Sequence, residues 1–260
     1  MQEELGDLVR GGVMGSDLLD RVRAIVDQEP GAADRWTLVY ALQRTRGRLT
    51  NFHLPDPESQ TDPRFLQHWS AALVLCLLDR RPDLAHEPVM VHIAARCQCD
   101  VAVFRRLALL YPQNVSAPVY GGHCTGLHTA VSMCPWPVIQ VLMAAVPDIR
   151  LVPNLPQGGG TVFHRLCERG EVDLFVRFLR LAGVETTDPV FLETDSSGHS
   201  PWARVEPDSE LARHLPCLNP SRQEALWTLE AVGQHLLPDV ADIVVGMMSM
   251  ARHERLVDDL

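Results

Sequence analysis

Pro88-Val89-Met90-Val91-His92-Ile93-Ala94, Thr125-Gly126-Leu127-His128-Thr129-Ala130, Thr161-Val162-Phe163-His164-Arg165-Leu166 and Ser200-Pro201-Trp202-Ala203-Arg204-Val205 can be laid over one another. His92, His128 and His164 stand 36 residues apart, and Ala203 takes the fourth such position 39 residues after His164. Behind each of the first three copies comes an apolar helical face, at Val101 to Leu110, Val138 to Val146 and Val172 to Ala182, and then a connector rich in Gly, Pro and Asn. Each unit is therefore expected to be a helix, a tight turn, a second helix and an extended loop. The first helices are expected at Val89 to Arg96, Gly126 to Met133 and Val162 to Arg169, with turns at Gln98, Cys134 and Gly170. Of these three turn residues only Gly170 suits a left-handed conformation at low cost.

These copies resemble the ankyrin repeat, whose signature is Thr-Pro-Leu-His-x-Ala, and Gly198 to Ala203 is a degenerate copy that keeps the Pro. The period here is longer than the family's usual one of about 33 residues. The extra residues are expected in the loops Ser116 to Cys124 and Val152 to Gly160. The resemblance implies an all-α fold, an ankyrin-repeat solenoid in which each helix pair buries its apolar face on the next. It divides the chain into an N-terminal helical cap at 1–85, repeats at 86–206 and a C-terminal helical segment at 207–260. In ankyrin relatives the first helices line a groove that holds a protein target, so Arg165, Glu168, Arg169 and Arg204 are the candidate contacts.

Upstream, Ser16 can cap a helix carrying Leu18, Leu19, Val22, Ile25 and Val26 on one face and ending before Pro30-Gly31. A second helix is expected from about Ala33 to Arg44, where Thr37-Leu38-Val39-Tyr40 is a decayed copy of the repeat start. Residues 48–63 read as a loop, and Phe65 to Arg80 as a buried helix opened by Pro63. Downstream, a short helix is expected at Asp208 to Leu215, followed by one from the capping-box sequence Ser221-Arg222-Gln223-Glu224.

Leu237-Pro238-x-Val240-x-x-Ile243-Val244-x-x-Met247 then resembles the opening of an F-box. The 24 residues from Leu237 to Leu260 are fewer than a full F-box needs. A truncated version at this place is the arrangement of the poxvirus ankyrin proteins with a PRANC domain. The resemblance implies that Leu237, Pro238, Val240, Ile243, Val244 and Met247 dock in the groove of the adaptor of a cullin-type ubiquitin ligase. It also implies a host–virus setting. Two other readings stand beside it: a helix that only caps the apolar end of the stack, and a SOCS-box-like element, which lacks the expected Leu-x-x-x-Cys before Leu237.

Composition limits the alternatives. The net charge of −10 and the lack of a dense basic patch argue against nucleic acid or an anionic membrane as the principal partner. The sequence opens acidic with no secretory signal, its most apolar run (Ala71 to Leu78) is too short to span a bilayer, and seven scattered cysteines form no disulfide framework. A cytoplasmic or nuclear location is the expectation. All 23 basic residues are Arg, which excludes any chemistry that needs lysine. A GC-rich genome accounts for that bias, and selection against ubiquitin-acceptor lysines is the sharper alternative.

No catalytic residue, metal or cofactor is expected. Cys97, Cys99, Cys124 and Cys134 with His123 and His128 have the ligand types of a zinc site but not the spacing of a finger or ribbon. His164, Cys167 and Asp173 lack the base across a cleft that a Cys nucleophile needs. Gly158-Gly159-Gly160-Thr161 has neither the strand nor the lysine of a phosphate loop.

Overall fold

The computed structural model describes residues 2–11, 16–44, 63–155 and 160–218, and the chain is all-α over these residues. Its helices are α1 (Gln2–Gly11), α2 (Ser16–Gln28), α3 (Arg35–Arg44), α4 (Pro63–Arg80), α5 (Val89–Arg96), α6 (Val101–Leu110), α7 (Gly126–Met133), α8 (Trp136–Ala144), α9 (Val162–Arg169), α10 (Val172–Ala182) and α11 (Glu210–Leu218). A two-residue ribbon, Pro118–Val119 with Cys124–Thr125, is the extended structure of the loop before α7. None of the helices is long and apolar enough to cross a membrane.

Local chemistry fixes these bounds. Asp34 accepts the Thr37 N–H at 2.8 Å to open α3, Asp100 accepts the Ala102 N–H at 2.8 Å to open α6, and Thr125 accepts the His128 N–H at 3.2 Å to open α7. Gly170 and Gly183 end α9 and α10 at φ 70° and 62°, where a side chain would be strained. The other two expected turns differ from Gly170 in opposite ways. Gln98 does adopt a left-handed φ of 54°, and its amide donates to the Met133 carbonyl at 3.0 Å. Cys134 is extended, at φ −99°, because Pro135 follows it and disfavours the helical conformation in the residue before a proline.

The chain forms two compact units, 1–119 with 125–147 and 120–124 with 148–260. In the first, helices pack in two rows. α1 lies on α3, α3 on α5 and α5 on α7, while α2 lies on α4, α4 on α6 and α6 on α8. Helix pairs thus bury one another, with Leu38, Leu42, Leu73, Leu77, Met90 and Phe104 fully enclosed. Helices α1 to α4 share this core with α5 to α8.

In the second unit α9 packs on α10 and on a 3-10 turn at Pro201–Arg204, and α10 packs on α11. Its core is aromatic. Phe163 meets Phe178 edge-on at 5.8 Å, and Phe191 stacks on Trp202 with centroids 4.5 Å apart. Each such pair is worth about 0.5–1.5 kcal/mol beyond its buried area. The fourth copy of the repeat pattern makes only this short turn instead of a helix. Val205 leaves it extended, at ψ 116°, and Pro207 two residues on withholds a backbone donor.

Candidate functional site

The histidines of the repeat pattern are buried and hydrogen-bonded, the rings of His92 and His128 to threonine hydroxyls and that of His164 to the backbone. His164 Nδ1 accepts the Thr161 N–H at 3.0 Å, so its proton sits on Nε2, which donates to the His199 carbonyl at 2.9 Å. His92 carries the opposite tautomer. The Thr129 hydroxyl gives its proton to the Thr125 carbonyl at 3.2 Å, so its oxygen must accept from His92 Nδ1, at 2.8 Å across α5 and α7. Burial holds His92 down to a pKa of about 4, with the charge of Arg96 acting the same way. Burial also lowers His164, outweighing the His199 carbonyl and the charge of Asp195. A ring in such a place is neutral and structural at physiological pH.

The candidate target contacts are already engaged within the second unit. Arg165 pairs with Glu168 at 2.6 Å on α9, and Arg169 pairs with Glu171 at 2.8 Å with its own side chain mostly packed away. Exposed pairs of this kind are worth about 0.3–0.5 kcal/mol, so a ligand could exchange the first of them at little cost. Arg204 is different. Its Nε donates to Asp195 at 2.8 Å and an Nη donates to the same oxygen, while the other Asp195 oxygen accepts the N–H groups of Ser197 and His199 at 2.8 and 3.1 Å. Burial would raise the Asp195 carboxyl, but Arg204 and these N–H groups win and hold it below the usual carboxylate range. Asp195 was readable in the sequence, since Asp195-Ser196-Ser197-Gly198 has the Asp-x-x-Gly form of a turn. Leu237, Pro238, Val240, Ile243, Val244 and Met247 lie outside the described residues.

No group of three metal-binding side chains is assembled among the described residues. Cys134 donates to the Ala95 carbonyl at 3.5 Å and Cys99 to that of Leu42 at 3.8 Å, as small buried thiols do.

A groove of about 700 Å³ opens between α1 and α3. Glu3, Gly6 and Asp7 line it from α1, and Asp34, Trp36 and Tyr40 from α3 or its cap. Trp36 is 52% exposed, and the Arg35 guanidinium lies 5.2 Å from its ring centroid while pairing with Glu87 at 3.1 Å. The sequence reading missed this groove because it placed no helix before Ser16.

No family model matches this sequence, and comparison with curated proteins and with solved structures finds no match.

Proposed function

We propose that the chain is a protein-recognition module, an ankyrin-type solenoid that presents a target to a cullin-type ubiquitin ligase in the cytoplasm or nucleus. The observation that carries the recognition part is the pairing of sequence period with packing. Two successive copies of the pattern, 36 residues apart, fall on α5 and α7, which pack on one another, and the helices that follow them, α6 and α8, pack on one another likewise. Stacks of this kind leave one row of first helices and a row of loops for a partner. Arg165 and Glu168 stand on such a first helix, α9, in a weak exchangeable pair, whereas Arg169 is mostly packed away beside Glu171 and Arg204 serves the fold through Asp195. The ligase would supply all catalysis.

The adaptor contact is the Leu237 to Met247 segment. It is tested by co-purification of the cullin adaptor with the wild-type chain and with Leu237→Ala/Pro238→Ala/Ile243→Asp, after circular dichroism shows the helices kept. Adaptor held by wild type and lost from the folded variant supports the reading. Adaptor held by neither leaves a stand-alone scaffold or inhibitor. α11 belongs to the fold under either reading, since Leu211 is fully buried and donates its N–H to the Gly170 carbonyl at 2.8 Å.

A further inference from the structure

The 260 residues hold 23 arginines and no lysine, and the fold alone does not demand it. Where an arginine serves the fold, it uses the planar fork that lysine lacks. Arg80 spans both oxygens of Asp27 at 2.5 and 3.2 Å, and Arg81 spans those of Asp83 at 2.9 and 2.7 Å while reaching the Ala33 carbonyl at 2.8 Å. Arg21, Arg105, Arg180 and Arg213 are different. They are exposed residues of α2, α6, α10 and α11, where lysine has nearly the same helix propensity as arginine. Lysine also makes exposed helix pairs of the kind that join Arg23 to Asp20 at 3.2 Å and Arg177 to Asp173 at 2.8 Å. A GC-rich genome favours arginine codons, but it thins asparagine codons as it thins those of lysine, and four Asn and five Ile remain.

What lysine alone would add at these positions is a nucleophile. Ubiquitin reaches a cullin-type ligase as a thioester on a conjugating enzyme. A neutral lysine ε-amine attacks the thioester carbonyl, the C–N bond of an isopeptide forms, the C–S bond breaks, and the departing thiolate takes up the proton that the amine loses. A guanidinium stays protonated and offers no electron pair for that attack. A subunit held on the ligase keeps its own surface near the thioester at about millimolar effective concentration, so any amine it carried would compete with those of the target.

We propose that the absence of lysine is a regulatory property of the recruiting subunit: while bound to the ligase it delivers the amines of a target, presents no side-chain amine of its own, and is not consumed with the target. This rests on the ligase reading above.

The test uses the full chain with purified cullin ligase, ubiquitin, its activating and conjugating enzymes and ATP. Wild type is compared with Arg21→Lys/Arg105→Lys/Arg180→Lys/Arg213→Lys, which keeps every charge and whose folding is checked by thermal unfolding. A third chain adds Leu237→Ala/Pro238→Ala/Ile243→Asp to that fourfold variant. Adaptor co-purification and the rate of ubiquitin transfer to the chain are read separately.

The expected result is equal adaptor binding by wild type and the fourfold variant, with ubiquitin added to the fourfold variant at least about tenfold faster. The adaptor lesion should return that rate to the wild-type one. Wild type modified within about twofold of the fourfold variant, a bound fourfold variant that stays unmodified, or modification that survives the adaptor lesion would each overturn the proposal. Adaptor absent from wild type would overturn the ligase reading itself, and this proposal with it.

Discussion

The guanidinium of Arg204 closes over the carboxylate of Asp195, whose side chain is completely buried while that of Arg204 is one-third exposed. Through the second Asp195 oxygen the same contact fixes the turn at Ser197 and His199, and the His199 carbonyl in turn receives the proton of His164. One ion pair therefore holds the turn that seats Trp202 against Phe191 and the first helix of the unit in place.

Removing Arg204 leaves the buried Asp195 carboxylate without its counter-ion, which costs about 3–5 kcal/mol, and Arg204→Ala is expected to lower stability by that amount in urea titration. Arg204→Lys should recover only part of it, because an ammonium cannot present two N–H groups in the same plane. Asp195→Ala leaves a guanidinium that is one-third exposed, so its cost should come chiefly from the stranded Ser197 and His199 N–H groups. Arg165→Ala, which breaks a pair with the exposed Glu168, should change stability by far less.

Acid is expected to weaken the protein before its carboxylates titrate. A histidine whose folded pKa is depressed binds its proton more readily in the unfolded chain, so the stability it contributes is complete above about pH 6.5 and is lost as pH falls toward the folded value. For His92 that window runs down to about pH 4. A shift of this size corresponds to roughly 3 kcal/mol. Unfolding midpoints measured between neutral pH and pH 4 should fall steadily, and His92→Gln should flatten the slope at the expense of stability at neutral pH.

Much of the fold was legible because its signals are local. The expected bounds of α5, α6, α7, α9 and α10 coincide with the observed ones, since a 3.6-residue apolar period specifies each helix by itself, and Asp100, Thr125, Thr161, Gly170 and Gly183 mark ends of the last four. α8 starts at Trp136 rather than Val138 because Pro137 is tolerated in a first turn. α1 went unread although Leu5, Leu8 and Val9 carry the helical spacing, because Gly6 and the acidic start mask it. The groove was illegible for the same reason. Its lining comes from α1 and α3, and juxtaposition of two helices is tertiary information that neither segment contains. The commitment of Arg204 was hidden likewise, since nothing at position 204 announces a buried carboxylate nine residues earlier.

Gly126 stands where the ankyrin signature has proline, and the packing of α7 on α5 gives the reason. A Cβ at 126 would lie 2.5 Å from Val91 Cγ1 and 2.8 Å from Val91 Cβ. Gly126→Ala should cost about 1–3 kcal/mol by overpacking, although alanine is the better helix former. In a double-mutant cycle Val91→Ala should restore part of that loss, with a favourable coupling of about 1 kcal/mol. Additive effects in urea unfolding would show instead that α5 and α7 shift apart freely.

Asn114 ties one loop to the preceding one. It is buried, and its side-chain amide donates to the Ala85 carbonyl at 2.9 Å and the His86 carbonyl at 2.8 Å. Asn114→Ala strands these acceptors and should cost about 1–3 kcal/mol. Asn114→Asp keeps the shape but places an acceptor-only anion against two carbonyl oxygens, so at neutral pH it should be the worse of the two. Burial and those carbonyls both raise the pKa of the new carboxyl in the folded state. Its deficit relative to wild type should therefore shrink as pH falls and the carboxylic acid regains one donor, while the deficit of Asn114→Ala stays constant. Unfolding midpoints of wild type and both variants, taken at neutral and acidic pH and compared at each pH, separate a lost donor from a misplaced charge.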